Sequence, residues 1–152
     1  MSQHAGLLTS RASHGVQAED PEGERLFFVL GAVLAGLAIL IGAFGAHALR
    51  GHVSADRYDD FVTGARYHLP QALGLFAVSR AAVKWPGRAV AAAGWLFVAG
   101  IVLFSGSLYL LGVTGQRWLG AVTPVGGLAF IVGWALLARQ VWSAGRVART
   151  TG

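Results

Sequence analysis

Between Leu26 and Leu49 the chain carries no charged residue. As an α-helix rising 1.5 Å per residue, that stretch is about 36 Å long, enough to cross a hydrocarbon core of roughly 30 Å with some tilt. Two later stretches, Ala89 to Leu111 and Trp118 to Leu137, are equally free of charge. A fourth, Phe61 to Ser79, is apolar but contains Arg66, His68, Pro70 and Gln71. Only 12% of all residues are charged and mean hydropathy is +0.57. A soluble domain carries about 25% charged residues, so this chain is short of the polar surface that water demands. The fold class that follows is all-α, a four-helix transmembrane bundle joined by short connections.

Around the spans, residues 1–25 form a polar tail expected to be flexible. A membrane domain occupies 26–142, with spans near 26–49, 61–79, 89–111 and 118–138, and a basic C-terminal tail covers 143–152. The N-terminal tail lacks the basic-then-apolar order of a secretory signal. Eight basic residues (Arg11, Arg25, Arg80, Lys84, Arg88, Arg139, Arg146, Arg149) fall on the side of the termini, against Arg50, Arg57 and Arg117 opposite. Basic residues collect on the cytoplasmic side, so both termini are expected there, in a multi-pass protein of the bacterial inner membrane. The net charge of +5 fits contact with anionic lipid headgroups. No basic cluster interleaves with aromatics, and nucleic acid is excluded as a partner. The chain has no cysteine, which removes disulfides, thiol nucleophiles and thiolate metal sites.

Thr63 to Ala72 concentrates polarity within a span. Ionisable side chains at membrane depth are costly and count as functional candidates by default. Counted from the outer end of each helix, Gly42 and Gly45 lie roughly 6 to 10 Å deep and Arg66, His68 and Gln71 roughly 8 to 15 Å. Ser105 and Ser107 lie roughly 6 to 9 Å deep and Thr123 roughly 8 Å. The expectation is a shared polar layer of Arg66, His68, Gln71, Ser105, Ser107 and Thr123 in the outer leaflet. Gly42, Gly45, Gly64, Gly106, Gly126 and Gly127 would let the helices close in around it. Pro70 is expected to kink the second span by removing a backbone donor.

Four blocks in order carry a resemblance. Gly42-Ala43-Phe44-Gly45-Ala46-His47, Thr63-Gly64-Ala65-Arg66-Tyr67, Phe104-Ser105-Gly106-Ser107-Leu108-Tyr109 and Thr123-Pro124-Val125-Gly126-Gly127 resemble the small four-span membrane proteins of domain of unknown function 423. That family includes bacterial inner-membrane proteins and a mitochondrial relative. The resemblance covers about Gly31 to Ala138 and implies a four-helix membrane fold with no settled activity. Family members typically show a histidine where this chain has Gln71.

Each polar residue has a functional and a plainer reading. Arg66 either binds an anion or solute, or snorkels to the interface and bonds to nearby acids and carbonyls. His47 and His68 differ in depth, so they are not expected to share a metal or haem, and no cofactor is expected. His47 reads as a helix-end residue. Ser105 and Ser107 read as hydroxyls bonding across the bundle: no acidic residue lies inside any span to build a hydrolytic triad, and no phosphate loop occurs. The expected role is therefore not enzymatic. It is an accessory or assembly subunit packing against lipid and a membrane-protein partner or further copies of itself. The alternative is a small transporter or channel component using the polar layer.

Overall fold

The computed structural model describes residues 21–150, with side chains over 22–144. The expected tail lies outside these residues up to position 20. From Pro21 onward the chain is already helical, so helix α1 (Pro21–Phe44) begins five residues before the apolar run. Proline is at home in a first helical turn, where its missing N–H has no partner to lose, and Glu22 and Glu24 favour the positive end of the helix. α1 ends in a π-helical turn, Gly45–Leu49, closed by the Arg50 N–H on the Gly45 carbonyl at 3.1 Å.

Helix α2 (Ala55–Lys84) follows a short turn in which Ser54 takes the extended cap conformation without a side-chain capping bond. α2 runs through Pro70 as one helix of 30 residues, rather than the short interrupted span expected. α3 (Arg88–Gly100) passes through a π-helical segment, Ile101–Gly106, into α4 (Ser107–Thr114). Together they form one rod. Gly115 ends it in the left-handed conformation, φ +73°, with its N–H on the Leu111 carbonyl at 2.7 Å. A 3₁₀ turn, Arg117–Ala121, leads into α5 (Thr123–Thr150), which continues through the residues expected to form a C-terminal tail.

The regular structure among the described residues is thus all helical, arranged as four rods. Three of them, Glu22–Leu49, Arg88–Thr114 and Arg117–Ala144, are long and apolar enough to cross a membrane. α2 is as long but more polar, because it holds Arg57, Asp59, Asp60, Arg66, His68 and Gln71. It is also the rod against which the others pack, chiefly α1 and the α3–α4 rod, while α5 lies along α3. The rods alternate in direction. At one end the Ser79 hydroxyl donates to the Glu24 carbonyl at 2.9 Å, and Gln140 approaches the Trp85 and Pro86 carbonyls. At the other end Phe61 seats against Gly45 and Gly112.

The core contains Phe27, Leu75, Val78, Val90, Phe97, Ile101, Phe130 and Leu137. The outside is apolar as well: Ile39 is 64% exposed, Leu40 68% and Ile131 68%. Buried beneath it are His68, Ser79, Ser105 and Ser107. In water this arrangement would expose far more hydrocarbon than a monomer tolerates; in a bilayer the apolar outside meets acyl chains.

Candidate functional site

His68 owes its burial to Gly64, one turn before it on α2. A Cβ on Gly64 would stand 3.1 Å from the Ser105 carbonyl oxygen, the Leu108 Cβ and the Tyr109 ring, so the α4 rod approaches α2 here at backbone distance. That approach brings the Tyr109 hydroxyl to 3.1 Å from His68 Nδ1. His68 is 3% exposed and Ser105 0%. The Nε2 of His68 and the Oγ of Ser105 are buried without a hydrogen-bond partner among the described residues.

Ser107 and Thr123 join α4 to the start of α5. Their hydroxyl oxygens are 2.9 Å apart, and Ser107 Oγ lies 3.0 Å from the Phe104 carbonyl. Each hydroxyl has one proton. The shorter distances are satisfied when Thr123 donates to Ser107 and Ser107 donates to Phe104, a carbonyl in the π-helical segment. Gly126 lies so close to Phe104 that an added Cβ would strike the Phe104 backbone.

The other residues expected in the layer point elsewhere. Gln71 accepts a hydrogen bond from the Trp134 indole at 2.9 Å, tying α2 to α5. Arg66 is exposed and has no hydrogen bond or ion pair among the described residues. The reason is rotation. A helix turns 100° per residue, so residues two apart face nearly opposite ways and Arg66 cannot share the face of His68. The shared layer therefore divides: Ser107 and Thr123 pair with each other, His68 pairs with Tyr109, Gln71 with Trp134, and Arg66 lies outside.

The glycines divide too. Gly45, Gly64 and Gly126 sit at close approaches and Gly127 in ordinary contact with the Phe104 ring, whereas a Cβ on Gly42 would meet nothing within 4 Å. On Gly106 it would meet only the Ile101 carbonyl at 3.9 Å. His47 is exposed on the π-turn that ends the first rod. Among the described residues no group of three or more His, Asp or Glu side chains gathers in a way that could hold a metal ion.

Two groups escaped sequence reasoning. Tyr109, not among the residues expected in the layer, is the partner of the buried histidine; the signal available was its spacing of four from Ser105, which puts both on one helix face. Arg57, assigned to a loop, donates from Nε to the Gly112 carbonyl at 3.0 Å and from its terminal nitrogen to the Val113 carbonyl. It thereby caps the last turn of α4, where unsatisfied carbonyls attract a cation.

A cavity of about 570 Å³ opens beside this site. Ile41 of α1, His68 of α2, the π-helical residues Ile101 and Val102, Tyr109 of α4 and Trp118 of the 3₁₀ turn contribute to its wall. Apart from His68, Ser107 and Tyr109 the lining is aliphatic, glycine or indole, with no charged residue.

The family model described as protein of unknown function DUF423 matches residues 41–127, from the end of α1 through the start of α5. A UPF0382 membrane protein of Bacillus subtilis, YwdK, is 51% identical over 114 residues, covering 74% of this chain and 93% of the relative. UPF0382 membrane proteins of Staphylococcus saprophyticus and Staphylococcus epidermidis are each 41% identical over 119 residues, covering 74% of this chain and 93% and 92% of the relatives. No solved structure matches. The apolar rods agree with what those names say, that the relatives are membrane proteins. On the family match and on these identities, the chain belongs to the DUF423 family of membrane proteins.

Proposed function

We propose that this protein spans the bacterial inner membrane four times, with both termini in the cytoplasm, and acts as an accessory or assembly subunit rather than an enzyme. Two features support the four-span reading. Three rods are apolar enough to cross. The connections on either side of α2 are a few residues long, so a chain that leaves one face at Leu49 and re-enters from the other at Arg88 must return through α2. At 30 residues α2 is about 45 Å long, sufficient for the crossing. The excess of basic residues at the end shared by Arg25, Arg80, Lys84, Arg88 and Arg139 supports cytoplasmic termini.

The observation that carries the accessory role is Arg66. It stands inside a span, on the outside of the bundle, with no ion pair among the described residues. A guanidinium at membrane depth demands acceptors, and among the described residues none bonds to it. A partner helix presenting a carboxylate or free carbonyls supplies them. A solute-binding layer is less well supported, because Arg66 is turned away from His68 and Gln71, and these two bond to different helices. Gentle detergent extraction followed by mass spectrometry of co-purifying proteins tests the reading. A stoichiometric partner, lost in Arg66→Gln while the variant accumulates normally, is expected. A monomer whose membrane abundance and company are unchanged in Arg66→Gln contradicts it.

A further inference from the structure

We propose that the cavity between α1 and the α3–α4 rod holds an acyl chain of a bilayer phospholipid. The two rods close on each other near one end, where the Phe27 ring packs against Gly94. Further along they open, and the cavity of about 570 Å³ lies between Ile41 of α1 and the stretch from Ile101 to Leu110. That volume falls within the roughly 300 to 1,000 Å³ of ordinary ligand sites. Val102, Leu110 and Trp118, all more than half exposed, belong to the lining and form a mouth on the apolar outside of the bundle. The cavity therefore fills from the bilayer, whatever the role of Arg66.

Length and wall chemistry both select a lipid tail. From Ile101 to Leu110 the rod rises about 13 Å. One leaflet contributes about 15 Å of hydrocarbon, so the cavity runs for nearly the depth that one tail occupies. A transmembrane partner helix would run the whole thickness, and beyond Ile101 the contact of Phe27 with Gly94 closes that path. The wall has nothing to recognise a polar group. No Lys, Arg, Asp or Glu lines it, so a charged ligand would be left without compensation. The Ser107 hydroxyl is engaged with Phe104 and Thr123, the Tyr109 hydroxyl pairs with His68 Nδ1, and His68 Nε2 is buried. Dispersion contact with methylene groups is what remains. Gly106 adds room for a chain: a Cβ there would meet only the Ile101 carbonyl, at 3.9 Å.

Full-length protein in detergent micelles is irradiated with rising amounts of a phosphatidylglycerol carrying a diazirine midway along one acyl chain, and the adducts are mapped by mass spectrometry. Adducts on Val102 and Leu110 should level off as the cavity fills. Those on Ile131, 68% exposed and outside the lining, should keep rising in proportion to the lipid. Gly106→Leu fills the cavity and should cut the Val102 and Leu110 adducts about tenfold, with Ile131 labelled as before. The plateau is read on the parent protein alone, so it stands as a test even if that variant does not accumulate. Val102 and Leu110 adducts that track Ile131 without levelling off overturn the proposal, as does a Gly106→Leu pattern equal to the parent's. In native membrane vesicles doped with the same lipid, labelling of Ile131 without Val102 or Leu110 would put a protein in the cavity and overturn it too.

Discussion

Tyr109 reaches from α4 to within 3.1 Å of the Nδ1 of His68, fastening the middle of α2 to the neighbouring rod through one hydrogen bond. Both residues lie where α2 and α4 approach at Gly64. Hydrogen bonds between membrane helices average about 0.6 kcal/mol. Tyr109→Phe is therefore expected to lower stability by about 0.5 to 1 kcal/mol, read as a small fall in melting temperature. A loss of several kcal/mol would mean that the contact holds more of the bundle than one hydrogen bond explains.

Gly126 and Gly42 should respond oppositely to the same change. A methyl on Gly126 would run into the backbone of Phe104, and backbone yields less readily than a side-chain end. Gly126→Ala is expected to cost about 1 to 3 kcal/mol, the usual range for overpacking. Gly42 has open space where the methyl would go, so Gly42→Ala should be neutral or slightly stabilising through better helix propensity. Thermal unfolding of both variants in one detergent checks the contrast.

Gln71 and Trp134 couple α2 to α5 through a single bond of 2.9 Å. A double-mutant cycle with Gln71→Leu and Trp134→Phe should return a coupling near 0.6 kcal/mol. Zero coupling would show that the indole finds another acceptor as readily.

The rods were legible in the sequence because hydropathy over some twenty residues is a strong signal. Leu26 to Leu49 could be little else. The continuous path of α2 through Pro70 was not legible: the proline removes one backbone bond, and whether the helix survives depends on the rods packed around it. The π-helical segments Gly45–Leu49 and Ile101–Gly106 leave no hydropathy trace at all. For the site, depth was readable from helical rise, but depth is one coordinate. Arg66 and His68 lie at nearly one level and on opposite faces, so a layer inferred from level alone joined residues that rotation separates. Ser107 and Thr123, expected in that layer, are in contact with each other.

Arg66→Gln should leave the isolated bundle within about 0.5 kcal/mol of the parent, since the side chain has no bond or ion pair among the described residues to lose. Under the proposed accessory role, its effect is expected in complexes. Chemical unfolding of the purified variant checks the first half of this statement and co-purification the second.

The four-span account depends most on α2, the most polar of the four rods. The chain has no cysteine, so single cysteines can be introduced without background. Ser54 precedes α2 and Lys84 ends it. In intact cells, a membrane-impermeant thiol reagent applied from outside should label Ser54→Cys and spare Lys84→Cys until the membrane is opened. Labelling of both from the same side would place α2 along the surface and contradict the account.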